Sequence, residues 1–362
     1  MNPLIELQDL GWDRRWESLF EEHALRGLVP ARVLSEERGR YLVASAEAEG
    51  PAVVSGRFRN GARAADEFPA VGDWVLLELP AASDAIIQAV LPRRSRFARA
   101  ARGDVPGAQV AAANVDLVLV VAALDHDFNL ARLERYLALA WSSGAEPTIL
   151  LNKADLRPDV GEALGLVRSV APAVPVYPLS AREGSGLDPV RALLEPGRTV
   201  ALLGSSGVGK STIVNALLGW ERQAVREVRE GDSRGRHTTT VRELIRLPSG
   251  ALLIDSPGMR SVGMWEAEDG LASAFADVDA LAAQCRFSDC SHATEPGCAV
   301  QAAIADGSLA AQRLHSRQKL ERELAAIERR RSPDRAELRR NGRRMTKFVR
   351  NRMRTKYGDD AA

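Results

Sequence analysis

Four short stretches hold residues whose types and spacing could do chemistry. "GSSGVGKST", Gly204 to Thr212, matches G-x-x-x-x-G-K-[ST] between an apolar run, "TVALL", and an amphipathic one, "STIVNALLG". In that setting Gly204, Ser205, Ser206, Gly207, Val208 and Gly209 are expected to wrap phosphates with backbone N–H groups at a helix N-terminus. Lys210 would reach the terminal phosphates and Ser211 would ligate Mg²⁺, with Thr212 closing the motif. "LLIDSPG" ends in Asp-x-x-Gly, which places Asp255 to hold Mg²⁺ through water and Gly258 to bring its N–H to a γ-phosphate. Between the two lies "GRHTTT", where one of Thr238, Thr239 and Thr240 could complete the metal shell. A phosphate loop alone leaves ATPases, kinases and GTPases open.

The third stretch, "LLNKADL", narrows that choice to guanine. A carboxylate at Asp155 can accept from both N1–H and the 2-amino group, and adenine offers neither donor. ATP would leave that carboxylate unpaired, which is costly. Asn152 is expected to brace the loop, the stem of Lys153 to cover the ring face, and Ala154 to complete the turn. Further on, "LSARE" offers Ser180 for loop support and the Ala181 N–H for guanine O6. In an ordinary GTPase the base-reading loops follow the phosphate loop, whereas here they precede it. Circular permutation accounts for that order, because all these loops lie at one edge of the same sheet.

The fourth is "CRFSDCSHATEPGC", which holds every cysteine of the chain, Cys285, Cys290 and Cys298, together with His292. Three thiolates and an imidazole suit tetrahedral Zn²⁺, and four protein ligands leave no open position, so one structural zinc ion is expected. An odd cysteine count argues against a disulfide framework.

The elements that must position these residues fall into three groups. Residues 31 to about 102 read as short β segments, "ARVLSE", "YLVAS", "AVVSGRF", "DWVLLEL" and "AIIQAVL", which fit a small closed barrel of the oligonucleotide-binding type. Before them Trp12, Trp16 and Phe20 recur every four positions, as on one face of a helix packed against a neighbouring domain. Arg57, Arg59, Arg63, Arg93, Arg94, Arg96, Arg99 and Arg102 could meet phosphates or form a solvated rim. From about Asn114 strands alternate with helices, which predicts a largely parallel sheet with its site at the carboxyl ends of the strands. Beyond Asp269 only helical segments follow. The expected domains are 1–108, an N-terminal helix and OB-like β-barrel; 109–272, a circularly permuted α/β P-loop GTPase domain; and 273–362, an α-helical zinc-binding domain with a basic tail.

Composition fits a multidomain globular chain: 362 residues, 45% hydrophobic, 27% charged, net charge +1. The balance hides an asymmetry, because residues 329–356 hold thirteen Lys or Arg against two acids. Such a run is a solvated face or a phosphate-binding surface, and beside a GTPase and a zinc site contact with RNA is favoured. The longest apolar run, "LVLVVAAL", is too short to span a bilayer. The N-terminus carries Glu6 and Asp9 where a secretion signal would be basic, so no membrane association and a cytoplasmic location are expected.

The permuted order of "NKAD", "SARE", "GSSGVGKST", "HTTT" and "DSPG", with a barrel before and a Cys/His cluster after, resembles the ribosome small subunit-dependent GTPase A (RsgA) family over nearly the whole chain. The resemblance implies GTP hydrolysis to GDP and phosphate with Mg²⁺, stimulated by the small ribosomal subunit during its late maturation, with that subunit and its rRNA as partners. A monomer is expected. Two positions depart from what enzymes of this kind carry. Met259 stands where Ras-like enzymes have the water-orienting glutamine, and Glu266 stands where the family often has histidine. Intrinsic hydrolysis is therefore expected to be slow, with His237 as an internal candidate for the missing polar group. Two other readings remain: a nucleotide-gated RNA-binding module with incidental hydrolysis, and a P-loop ATPase or kinase with a coincidental "NKAD".

Overall fold

The computed structural model describes residues 6–24, 27–81, 83–100, 108–220, 242–255 and 268–331. Its N-terminal third begins with helix α1 (Arg14–Ala24) and continues into strands β1 (Val29–Glu37), β2 (Arg40–Ser45) and β3 (Glu49–Val54), helix α2 (Gly56–Gly61), and strands β4 (Trp74–Glu78) and β5 (Ala85–Val90). The pairings β1–β2, β2–β3, β3–β5, β5–β4 and β4–β1 close a five-stranded barrel, with β3–β5 the parallel pair. Alternate side chains, including Val33, Val43, Ala52, Val75 and Ile87, fill its interior. The expected strand "AVVSGRF" is cut short. Ser55 accepts the Phe58 N–H at 3.0 Å and starts α2, so the hydroxyl cap overrides the apolar pattern. Trp12, Trp16 and Phe20 do pack inward, with Trp12 edge-on to Trp74 of β4 at 4.7 Å between centroids.

A two-stranded hairpin, β6 (Arg96–Ala100) and β7 (Ala108–Ala113), leads to the parallel region. There β8 (Leu117–Ala123), α3 (Leu130–Ser142), β9 (Glu146–Asn152), α4 (Val160–Val170), β10 (Val176–Pro178), α5 (Asp188–Ala192), β11 (Thr199–Leu203), α6 (Lys210–Leu218), β12 (Arg242–Arg246) and β13 (Leu252–Asp255) follow in chain order. The sheet runs β10-β9-β8-β11-β13-β12, parallel except for β12. Both faces are covered, and for that reason β8 reads as an unbroken apolar run. Val118 and Val120 enter one core cluster, while Leu117, Leu119 and Val121 enter the other.

The sheet does not stop at β12. Strand β1 pairs antiparallel with it, Ser35 opposite Glu243 and Glu36 opposite Arg242, so the barrel continues the same eleven-stranded hydrogen-bonded array. Helices α7 (Glu268–Ala274), α8 (Ala276–Ala282), α9 (Ala299–Ala305) and α10 (Ala311–Arg331) share a core with one sheet face through Phe275, Val278, Val300 and Leu314, and α7 and α10 pack against α3. Gly270 makes that packing possible, because a Cβ there would lie 2.3 Å from the Ala138 carbonyl oxygen of α3. Among the described residues no helix is long and apolar enough to cross a membrane.

Candidate nucleotide site and metal centre

Strands β8, β9, β10 and β11 deliver their following loops to one edge of the sheet. The phosphate loop leaves β11 at Gly204 and enters α6 at Lys210, with Gly209 in the left-handed conformation at φ 94°. A side chain at Gly209 would collide with Asn152, whose Nδ2 would lie 2.2 Å from the added Cβ. That closeness lets the base loop hold the phosphate loop. Asn152 Nδ2 donates to the Val208 carbonyl at 2.8 Å, and Asn152 Oδ1 accepts the Ala181 N–H at 3.0 Å. One buried amide therefore links "NKAD", "GSSGVGKST" and "SARE". The Ala181 N–H, expected at guanine O6, is engaged with Asn152 in this structure.

Ser180 is buried and exchanges backbone hydrogen bonds with Ser185, closing the third loop. Lys153 adopts φ 62° and its ammonium meets Asp125 Oδ2 at 2.7 Å. Burial alone would raise the Asp125 carboxyl, but Lys153 and the Asp127 N–H hold it below the usual carboxylate range. Ala154 and Asp155 follow in a short 3₁₀ turn with Asp155 exposed toward solvent, where a purine edge could reach its carboxylate. Lys210 Nζ donates to the carbonyls of Gly204 and Ser205, folding back over its own loop. Ser206 and Gly207 are exposed at the crown, while Ser211 and Thr212 open the first turn of α6. Asp255 ends β13, next to β11 in the sheet. His237, Thr238, Thr239, Thr240, Gly258, Met259 and Glu266 lie outside the described residues, as do Arg102 and the basic stretch beyond Arg331.

Sequence reading missed the loop between β8 and α3. From this loop Asp125 meets Lys153 of the base loop, and Asp127 holds Arg132 of α3, which with Tyr136 reaches Ser205 of the phosphate loop. The available signal was positional, since this loop also follows the carboxyl end of a parallel strand. Several arginines offered as phosphate contacts are committed elsewhere. Arg93 pairs with buried Asp73 at 2.7 Å, Arg94 with Asp13, and Arg96 with Asp66 at 3.6 Å. Arg57, Arg59 and Arg63 are exposed.

At the C-terminal cluster the ligand atoms of Cys285, Cys290, His292 and Cys298 lie within 4.8 Å of one another. Cys285 Sγ is 3.9 Å from Cys298 Sγ, and His292 Nδ1 is 3.6 Å and 3.5 Å from the same two sulfurs. Tetrahedral zinc with Zn–S near ~2.3 Å requires about 3.8 Å between sulfurs and about 3.6 Å from sulfur to nitrogen. The donor set and its spacing fit a tetrahedral metal ion. Around it, Cys298 caps α9 by accepting the Gln301 N–H, and Gln301 Nε2 returns a bond to the His292 carbonyl at 2.6 Å. Burial would raise the Cys285 thiol, but the Val300 and Ala299 N–H groups and the neighbouring thiols bring it below its usual value, whereas burial and the thiols of Cys298 and Cys285 push Cys290 up to about 11.

Comparison with known proteins adds to this geometry. The sequence model described as RsgA GTPase matches residues 90–265. A protein of Opitutus terrae named small ribosomal subunit biogenesis GTPase RsgA is 47% identical over 339 residues, covering 91% of this chain and 92% of that protein. One of the same name from Streptomyces coelicolor is 45% identical, covering 88% and 86%. Among solved structures, YjeQ from Thermotoga maritima aligns with a TM-score of 0.62 at 24% identity, over 82% of this chain and 99% of that one. YloQ, described as a circularly permuted GTPase, aligns at 0.61 with 23% identity, over 83% and 96%. These two likenesses bear on the fold.

Proposed function

The chain belongs to the RsgA family of GTPases, and from that premise we propose that it binds GTP, hydrolyses it to GDP and phosphate, and acts in biogenesis of the small ribosomal subunit. The observation that carries this reading is the Asn152 side chain, which ties the base loop to the phosphate loop and to the loop of Ser180 and Ala181. That brace fixes the three loops relative to one another, as a single ligand spanning all three would require.

In this reading Asp155 selects guanine, the amides of residues 204–209 wrap the phosphates, and Lys210 turns from its own carbonyls toward the β and γ phosphates. Ser211 and Asp255 are the residues that would hold Mg²⁺, which when bound neutralises charge between those phosphates. Met259 cannot orient water, so the intrinsic rate is slow and the small subunit supplies or positions the missing group, with His237 as an internal candidate. The Cys₃His cluster holds one structural zinc ion. The basic stretch 329–356 meets rRNA phosphates, and the protein works in the cytoplasm as a monomer.

Turnover of GTP by the purified chain, with and without mature small subunits, tests the reading. Stimulation is expected; equal rates would refute subunit-dependent hydrolysis. Asp155→Asn should move preference from guanine toward xanthine nucleotides, and indifference to that change would return the site to an ATPase or kinase with a coincidental "NKAD".

A further inference from the structure

Helix α3 begins against the phosphate loop. Asn129 caps it by accepting the Arg132 N–H at 2.9 Å, which fixes the backbone of that arginine. The Arg132 guanidinium is then held at three points by one residue: Nη1 to Asp127 Oδ2 at 2.9 Å, Nη2 to Asp127 Oδ1 at 2.7 Å and Nη2 to the Asp127 carbonyl at 2.7 Å. This fork leaves Nη1 directed at the Ser205 hydroxyl, 3.2 Å away. Tyr136, one helical turn further on, places its hydroxyl 3.3 Å from the same Ser205 Oγ. The serine's carbonyl meanwhile accepts from Lys210.

As a stabiliser of the fold this arrangement is weak. The Arg132–Asp127 pair is 33% and 48% exposed, and exposed ion pairs contribute little. Its geometry is nonetheless more constrained than an ordinary surface pair, with a planar fork immobilised on both edges. We propose that Arg132 is a positioning residue for the nucleotide reaction: oriented by Asp127 and assisted by Tyr136, it clasps Ser205 and sets the N-terminal half of the phosphate loop. The clasp acts through Ser205 and does not touch the γ-phosphate. It therefore supports GTP and GDP binding alike. This inference rests on the nucleotide-site reading given above.

The test is a fluorescent-nucleotide titration of the full chain with Mg²⁺, using GTP and GDP analogues. Arg132→Ala and Ser205→Ala are each expected to weaken both nucleotides by about five- to tenfold, as for loss of one charge-assisted hydrogen bond. The double variant is expected to be no worse than Ser205→Ala alone, the signature of a shared interaction. Arg132→Lys, which keeps the charge but lacks the fork, should not restore affinity, whereas the thermal midpoint should stay within about 2 °C of the unsubstituted chain. Tyr136→Phe should cost about twofold, from one neutral hydrogen bond. Additive losses, restoration by lysine, or a loss confined to GTP would overturn the clasp. Failure of the unsubstituted chain to bind either nucleotide would overturn the site reading with it, so the two failures are distinguishable.

Discussion

Arg32 joins the barrel to the GTPase sheet, and Arg313 joins the C-terminal helices to α3, which packs on one face of that sheet; they are 2% and 3% exposed. Arg32 finds only neutral acceptors: the Leu10 carbonyl at 2.8 Å, the Asn114 carbonyl at 3.3 Å and the Thr199 hydroxyl at 3.1 Å, with its guanidinium over the Trp74 ring. Burial pulls it down to about 10, partly offset by the more distant Asp116 and Asp73. Arg313 lies within 2.7 Å of both Glu134 on α3 and Asp277 on α8, and over the Phe275 ring. Burial opposes its charge too, but the two carboxylates prevail and raise it above its ordinary value. The two seams also differ in backbone. Sheet pairing between β1 and β12 crosses the first, whereas the second rests on side chains and helix packing. A seam with sheet continuity can tolerate an uncompensated cation, and a seam without it relies on charge pairing.

The largest expected effect follows from removing the C-terminal metal. Chelation should release α9 and the 285–298 loop and expose α10 to protease, because binding energy of a structural ion is folding energy of about 10 kcal/mol or more. The barrel should keep its protection, and simultaneous loss of both would erase the distinction between the seams. Next, Arg313→Ala strands the buried Glu134 carboxylate and should cost about 3–5 kcal/mol in urea unfolding. Arg32→Met strands no carboxylate, only hydrogen-bond acceptors, and should cost about 1–3 kcal/mol. Equal losses would mean that charge pairing is irrelevant to which seam is fragile.

The smallest expected effect is that of Glu134→Gln, about 1 kcal/mol, because Arg313 keeps Asp277 and the Ala274 carbonyl. Its pH dependence is more informative. Burial raises the Glu134 carboxyl, ahead of the opposing bond from Arg313. Only between the ordinary glutamate value and the raised folded one does the folded chain hold that proton more than the unfolded chain does. The contribution of that group is fully present below the ordinary glutamate value of 4.5 and is lost as pH rises through the raised folded value. The unsubstituted chain should therefore gain on Glu134→Gln as pH falls from neutral, and a constant gap in urea unfolding at each pH would exclude the effect.

Local chemistry was legible in the sequence where one segment held all of it. The phosphate loop needs only its own glycines and lysine, the Cys/His window spans a single stretch, and barrel strands show their alternation. What escaped depends on partners far apart in the chain. Arg313 meets Glu134 across 179 positions, and Arg32 meets Thr199 across 167. Neither pairing has a periodic signature. Arginine clusters were similarly ambiguous, since Arg93 satisfies Asp73 and the carbonyls of Asp66 and Phe68 rather than an outside phosphate. Asp127 and Arg132 lay in plain view, but their use depends on Ser205, 73 positions beyond Arg132.

Strand β12 is paired on both sides, to β13 along Glu243 to Arg246 and to β1 at Arg242 and Glu243. Leu244 points into one core cluster and Ile245 into the other. In mechanical terms it is a rail with notches: sliding by one residue would exchange those two faces, so the next permitted stop is two residues along, about 7 Å away. A pull on either end too small to reach that stop cannot be absorbed by slippage. It must be carried sideways, into β13 on one side and the barrel strand β1 on the other.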